Sequence, residues 1–343
     1  MASAGKGWNV AVVGATGLVG GRMIEILEQR DFPVAQLIPL ASSRSAGRSI
    51  HFRGRDHLVA DLASFDFSGT HIALFSAGGA VSRDHAPRAG SAGCVVIDNT
   101  SHFRYDEDVP LVVAEVNPHA IARHTRRNII ANPNCSTMQM VVALKPLHDA
   151  AGIERINVAT YQSVSGAGNR AVTELTNQTR AVLEGRAVEP EIIARQIAFN
   201  CVPQIDVFLD NGYTKEEMKM HWETRKIFED GAILVNATAV RVPVYFGHSE
   251  AVHIEMRRRM SVDEARELLR QAPGVVLLDE RRPGGYPTAV TDAAGHDPVY
   301  VGRIREDLSH ERGLALWIVA DNVRKGAALN SVQIAEILVK DYL

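Results

Sequence analysis

Asn9-Val10-Ala11-Val12-Val13-Gly14-Ala15-Thr16-Gly17-Leu18-Val19-Gly20-Gly21 decides the fold. Asn9 to Val13 is a short apolar strand that runs directly into glycines, and from Leu18 the pattern turns helical through Ile24, Ile26 and Leu27. Strand, glycine turn and helix form the setting of a dinucleotide fingerprint: glycines let the backbone approach a pyrophosphate, which the helix N-terminus then holds. The spacing here is GxxGxxG rather than GxGxxG, so the flanking strand and helix carry much of the reading. Gly14, Thr16, Gly17, Leu18 and Val19 are the candidate cofactor contacts.

Working outward, a second strand, Gln36 to Leu40, ends about twenty residues on, where an NAD-binding fold places an acidic residue for the ribose 2′-hydroxyl. This chain reads Ser42-Ser43-Arg44-Ser45-Ala46-Gly47-Arg48 there. Hydroxyls and guanidinium suit a 2′-phosphate, which favours NADP, with Ser42, Ser43, Arg44 and Ser45 as contacts. Strand-like runs continue at His57 to Leu62, His71 to Phe75, Cys94 to Ile97, Leu111 to Val113 and Asn128 to Ala131. Buried runs separated by crossovers predict a mainly parallel, doubly wound sheet. Ser76-Ala77-Gly78-Gly79 closes the fourth run on the carboxyl edge, where ligands bind, so Ser76, Ala77 and Gly78 join the cofactor side. Asp98 to Tyr105 leaves another strand as a polar segment that presents Arg104 to an anion.

Asn132-Pro133-Asn134-Cys135-Ser136-Thr137 follows the run Asn128 to Ala131 and precedes a helical pattern, Thr137 to Ala151, in which Pro146 is expected to kink or end the helix. A cysteine at a helix N-terminus has its thiolate favoured by free N–H groups and the dipole, which is how a protein makes a nucleophile at neutral pH. Asn134 supplies an amide beside the sulfur, and Ser136 and Thr137 supply capping hydroxyls.

A length of 343 residues suits roughly two domains. Nearly half the residues are apolar, and a net charge of −3 without a basic stripe argues against a nucleic-acid partner. Cys94, Cys135 and Cys201 form neither a disulfide framework nor a metal spacing, which points to no metal and a reducing compartment. Met1 to Trp8 lacks the apolar core of a signal peptide, and no run approaches membrane-spanning length. A soluble cytoplasmic protein, with no membrane partner, is expected.

From Ile153 the strands lengthen and alternate, as in Ile156 to Tyr161, Ala232 to Val244 and Ala251 to Met256, which predicts an α+β domain with an antiparallel sheet and one face open to a second copy. Gln162 at a strand end can hold a substrate group, and Ser165 to Gly168 forms a close-approach loop before a helix at Arg170 to Leu183. Thr214-Lys215-Glu216-Glu217 has the form of a capping box, so Glu217 reads as a cap; Glu216 and Lys219 lie three apart on one helix face, as a solvated ion pair or a joint substrate contact. Arg241 stands in an apolar strand, where a guanidinium needs an anionic partner such as a substrate carboxylate. His248, after a glycine at the strand end, suits a general acid and base. Trp317 to Ala320 is a strand, Asp321-Asn322 turns it, and Ala327 to Leu343 is helical and expected to pack on the nucleotide domain, so that Asn322 reaches the nicotinamide amide. The expected division is residues 1–134 with the C-terminal helix 322–343, a Rossmann-type nucleotide domain, and 135–321, an α+β catalytic and dimerisation domain.

GATGLVGG, SSRSAG, HFRYDEDVPLVVAEVN, NPNCSTMQ, TYQSVSGAG, TKEEMKM with ETRKI, VRVPV with GHSE, and ADNVRKGAALN, in that order, resemble the aspartate-semialdehyde dehydrogenase family along nearly the whole chain. The resemblance implies a Rossmann domain with an α/β dimerisation domain, NADP(H) and a homodimer. It implies Cys135 as nucleophile, Gln162 as its orienting neighbour and His248 as acid and base. It implies Arg241 and Glu216 on the substrate's α-carboxylate and amino end, and Arg104, Asn134 and Lys219 on the phosphate; Ser165, Gly166 and Asn322 join the cofactor contacts. Gly79-Ala80-Val81 departs from the serine-rich turn of many relatives. The implied reaction is reductive dephosphorylation of L-4-aspartyl phosphate through a cysteine thioester. Alternatives are N-acetyl-γ-glutamyl-phosphate reductase, whose cysteine sits in a PGCYPT-like setting; glyceraldehyde-3-phosphate dehydrogenase, with Thr-Thr-Asn after the cysteine; and a non-catalytic NADP-binding redox sensor.

Overall fold

A computed structural model describes residues 7–343, so the reading of the first six residues as lacking a signal segment lies outside the described residues. The chain divides into two units: one ends at Pro133 and takes in Ala327–Leu343, and the other is Asn134–Gly326.

The first unit opens with β1 (Trp8–Val13) and α1 (Leu18–Gln29), then β2 (Val34–Ala41). Next come β3 (Ser49–Phe52) and β4 (Arg55–Leu58), an antiparallel pair of their own, and the short β5 (Ala60–Asp61). β6 (Ile72–Phe75), α2 (Gly79–Ser91), β7 (Val95–Asp98) and β8 (Ile129–Ala131) complete the run. The sheet is wholly parallel, in the order β5-β2-β1-β6-β7-β8. β6 and β7 are buried at every residue, as continuous apolar strands covered on both faces must be. Met23, Ile26 and Leu27 of α1 face the same core.

Two expectations need correction here. His57 to Leu62 is broken into the end of β4 and the two residues of β5, because Val59 turns its N–H to Arg48 O and leaves the ladder. Leu111 to Val113 is no strand: Leu111 makes one parallel bridge to Ala131, and the Val113 N–H goes to the Asn117 side chain at 2.9 Å instead of a neighbouring strand.

The second unit starts with α3 (Cys135–Ala151), β9 (Ile153–Gln162) and α4 (Asn169–Leu183). It continues through α5 (Lys215–Ile227), β10 (Leu234–Arg241), β11 (His248–Met256), α6 (Val262–Gln271), β12 (Val275–Leu277), β13 (Val299–Glu306) and β14 (Gly313–Ala320). The sheet order is β10-β9-β11-β14-β13-β12. It is mixed rather than antiparallel: β9 with β10 and β12 with β13 are parallel pairs, because long crossovers rather than hairpins connect them. Pro146 neither ends α3 nor shortens it; the helix runs on to Ala151, with most of its residues buried, and that packing offsets the lost hydrogen bond. After a π-helical turn, α7 (Asn330–Asp341) returns to the first unit, where Val332, Ile334, Ala335 and Leu338 join its core.

Among the described residues no helix is long and apolar enough to cross a membrane, and no group of three His, Cys, Asp or Glu side chains could hold a metal ion.

Candidate active site

In the first unit the glycine turn joins β1 to α1. Gly14 has φ +85°, and a Cβ on Gly20 would lie 2.2 Å from the Gly14 carbonyl oxygen, so Gly20 is what lets helix and turn approach. No side chain caps α1 and its first turn carries no acid, so its leading N–H groups are available to an anion. Thr16 and Gly17 are exposed, Leu18 and Val19 half-buried. Ser42 to Arg44 form an exposed turn after β2 with Ser45 half-buried, and Arg44 makes no ion pair among the described residues. Ser76 lies at the end of β6, beside β1, with its hydroxyl on Val13 O at 3.1 Å, and exposed Ala77 and Gly78 lead into α2. This set fits a dinucleotide. Arg104, expected to face an anion from an open loop, is 6% exposed and donates to Asn99 O at 2.8 Å.

In the second unit, Cys135 is the first residue of α3 and is partly exposed. Asn134 is the N-cap: its Oδ1 accepts from Ser136 N at 3.0 Å and Thr137 N at 3.2 Å, and its Nδ2 donates to Glu216 Oε1 at 2.9 Å. On another side Gly326 packs so closely that a Cβ there would lie 2.6 Å from the Cys135 Cβ.

Glu216 and Lys219 are not a solvated pair. Glu216 is 5% exposed and bonds Lys219 Nζ at 2.9 Å, while Lys219 also bonds Asp206 at 2.9 Å. Burial works against the Glu216 charge, but Lys219, Asn134 and Arg241 outweigh it and take its pKa down to about 2. For Lys219 burial is likewise outweighed, by Glu216 and Asp206, and its pKa stands above the ordinary value. The neighbouring Glu217 completes a capping box, accepting Thr214 N–H at 2.7 Å and donating its own N–H to Thr214 Oγ1 at 3.3 Å. Gln162, buried at the end of β9, donates to Glu216 Oε1 and Thr160 Oγ1, each at 3.2 Å.

Arg241, at the end of β10 and paired in register with Gln162, is 6% exposed and donates to Ser163 O at 2.7 Å. Burial lowers its pKa, while Glu216 and a Cys135 thiolate pull it back up. The attraction is mutual, so the guanidinium favours the anionic sulfur.

His248 opens β11 rather than ending a strand, directly after Gly247, whose φ is +87°. It is fully buried, and its Nδ1 accepts Ser163 N–H at 3.0 Å. An amide can only donate, so Nδ1 bears no proton and the neutral imidazole carries its hydrogen on Nε2. That Nε2 is buried and has no hydrogen-bond partner among the described residues, on the side where Gly166 approaches both His248 and Arg241. Burial and then Arg241 press the His248 pKa down to about 3. Asn322 does not point its amide into open space: Oδ1 accepts from Ser163 Oγ and Gly247 N, both at 3.0 Å, and Nδ2 donates to Ser165 Oγ at 3.0 Å.

Asn134, Gln162, Glu216, Lys219, Arg241 and His248 are thus gathered around Cys135 in one unit. Sequence reading passed over Ser163, Gly326 and Glu223, whose Oε2 accepts Asn134 N–H at 2.6 Å. Only Glu223 carried a signal, seven residues after Glu216 and therefore on the same helix face.

Residues 9–124 match the family model described as semialdehyde dehydrogenase, NAD binding domain, and residues 144–325 match semialdehyde dehydrogenase, dimerisation domain. A curated relative from Shewanella sp. (strain DB6705), aspartate-semialdehyde dehydrogenase, is 61% identical over 335 residues, covering 98% of each chain. The crystal structure of aspartate semialdehyde dehydrogenase II complexed with ASA from Vibrio cholerae superposes with a TM-score of 0.97 at 58% identity, covering 99% of this chain and 100% of that one. A more distant structure, aspartate semialdehyde dehydrogenase with NADP from Candida albicans, has a TM-score of 0.75 at 26% identity, covering 97% and 99%.

Proposed function

The chain belongs to the aspartate-semialdehyde dehydrogenase family, and from that premise we propose that Cys135 is its catalytic nucleophile. The enzyme converts L-4-aspartyl phosphate to L-aspartate 4-semialdehyde, and the reverse, in the biosynthesis of lysine, threonine and methionine, and it acts as a homodimer. The observation that supports the assignment of residues best is the cluster itself: a helix-terminal cysteine, a buried arginine, an ionised glutamate and a histidine with an unpartnered Nε2–H.

In the reducing direction the Cys135 thiolate attacks the acyl carbon, the C–O bond to phosphate breaks, and a thioester forms. Reduction of that thioester gives a tetrahedral alkoxide that collapses to the aldehyde and returns the thiolate. Sulfur suits both steps, as nucleophile and as leaving group. The positive end of the α3 dipole and the His248 Nε2–H stabilise the oxyanions. Arg241 takes the substrate α-carboxylate, Glu216 its ammonium, and Gln162 orients the acyl group. Asn134 and Lys219 face the phosphate, and Arg104 is assigned to it from the resemblance alone.

His248 in the free enzyme is a poor base, because burial and Arg241 both disfavour its cation. A carboxylate docked on Arg241 cancels the second influence, but with Nδ1 holding the Ser163 N–H the imidazole meets the thiol chemistry as a donor, its Nε2–H steadying the anionic sulfur, and it serves as base only from the tautomer in which Ser163 has released Nδ1.

NADP is the cofactor we favour, held by the turn Gly14 to Val19, by Ser42, Ser43, Arg44 and Ser45, and by Ser76, Ala77 and Gly78; Ser165, Gly166 and Asn322 complete the assignment from the resemblance. When bound it supplies or accepts the hydride. Asn322 serves it only by giving up some of its bonds to Ser163, Ser165 and Gly247. The reducing cytoplasm, which keeps Cys135 a thiol, is the compartment this chemistry calls for.

The test is phosphate-dependent NADPH formation from aspartate semialdehyde. The native enzyme turns over only with phosphate present, and Cys135→Ser abolishes turnover while NADP binding stays nearly intact. Loss of NADP binding in that variant would make the cysteine structural, and a preference for the N-acetyl-γ-glutamyl substrate would favour the sister reductase.

A further inference from the structure

Glu223 lies on the inward face of α5, seven residues and so about 10.5 Å along the helix from Glu216. It is fully buried. The two carboxylates take different atoms of one residue: Glu216 Oε1 takes the Asn134 side-chain amide at 2.9 Å, and Glu223 Oε2 takes the Asn134 backbone N–H at 2.6 Å. A single residue, the one before the nucleophile, is thereby gripped at backbone and side chain by one helix, while its remaining amide oxygen caps Ser136 and Thr137.

We propose that Glu223 is a positioning residue for the nucleophile: by accepting the Asn134 N–H it fixes the first turn of α3, and with it the direction of the Cys135 sulfur. The proposal rests on Cys135 being the nucleophile. It concerns aim rather than charge. A negative charge beside a thiolate repels it, so a purely electrostatic Glu223 would hinder the reaction; what the group contributes is a short hydrogen bond of 2.6 Å that holds the chain on one path into the helix. Gly326 limits movement from another side, since no more than a hydrogen fits against Cys135 there. Small displacements matter, because a shift of about 1 Å at a reacting atom can cost about a hundredfold in rate.

The experiment uses the full chain with Glu223→Ala, Glu223→Gln and Glu223→Asp, two readouts and a control. One readout is steady-state turnover. The other is the rate of iodoacetamide alkylation at the Cys135 peptide across pH, which needs no substrate and separates Cys135 from the exposed Cys201. NADP affinity is the control. Glu223→Ala lowers kcat by about tenfold to a hundredfold with NADP affinity within about threefold, and moves the alkylation midpoint to higher pH because the sulfur loses its alignment with the positive end of the α3 dipole. Glu223→Gln, whose amide oxygen still accepts, stays within about threefold of native kcat.

A folded Glu223→Ala with kcat within about threefold of native, or with its midpoint unmoved or lowered, overturns the proposal; so does a Glu223→Gln as impaired as the alanine. Should the alanine variant not fold, Glu223→Asp decides: one methylene shorter, it must lose turnover and raise the midpoint, and native behaviour from it overturns the proposal. If native enzyme shows no phosphate-dependent turnover at all, the functional reading fails, whereas the alkylation profiles still report whether Glu223 aims the sulfur.

Discussion

Glu250 stands two residues beyond His248 on β11, on the same face of the strand and fully buried, and neither carboxylate oxygen has a hydrogen bond. Gln139, one helical turn past Cys135, faces it, though no hydrogen bond of ordinary geometry joins them. Burial, opposed by Gln139, raises the Glu250 pKa well above that of an ordinary carboxylate. The native state therefore keeps a proton that the unfolded chain releases above about pH 4.5, so Glu250 subtracts stability progressively as pH rises, by up to about 1.4 kcal/mol per pH unit. Glutamine at this position titrates in neither state. Urea unfolding of Glu250→Gln and native enzyme, at one protein concentration, should show the variant's relative stability growing from pH 5 to pH 8; a pH-independent difference would mean Glu250 is ionised when folded. His248 and Glu216 act with the opposite sign, their pKa values being lowered to about 3 and about 2, so both withdraw stability as pH falls below the unfolded values. None of this was legible in the sequence. Glu216 and Lys219 read as either a solvated pair or a joint substrate contact because helix spacing says which residues share a face but not what covers it. Cys135, Arg241 and His248 were legible for the contrary reason: a thiol after a strand, a guanidinium among aliphatics and a histidine after a glycine are each costly or unusual without a task.

α3 shows how an element carries the site. Its N-cap, its first-turn N–H groups and the residues that hold them converge on Cys135, and Gly326 closes in from another element. Gly326→Ala would place a methyl 2.6 Å from the Cys135 Cβ and 3.1 Å from its Cα, contacts only backbone movement can relieve. We expect a folded enzyme with kcat/KM lower by about a hundredfold and NADP affinity little changed; native turnover would show that the turn Arg324–Leu329 yields without disturbing the nucleophile. At this scale the sequence spoke clearly where strands are buried on both faces, as at β1, β6 and β7. It failed where side chains override a ladder. Asn117 diverts the Val113 N–H and denies Leu111 to Val113 a strand, while the polar residues of β3 and β4 pair outside any apolar pattern. Sheet direction in the second unit was missed because alternation looks alike in parallel and antiparallel pairs that expose one face.

Over the whole molecule the work is divided. The first unit supplies a parallel sheet whose glycine turn and serine-arginine turn suit a dinucleotide, and the second gathers Cys135, His248, Arg241 and Glu216, which we propose as nucleophile, acid and base, and anchors for the substrate. The order of the motifs along the chain made this division readable, since β1 with its turn must precede the NPNCST segment and VRVPV with GHSE must follow it. The proposed reaction passes through one covalent species, the thioester on Cys135. Rapid quenching in acid after mixing native enzyme with L-4-aspartyl phosphate, NADP(H) withheld, followed by peptide mass spectrometry, tests it directly. One aspartyl group is expected on the Cys135 peptide, discharged when NADPH is added; turnover-competent enzyme with Cys135 unmodified would rule out the thioester.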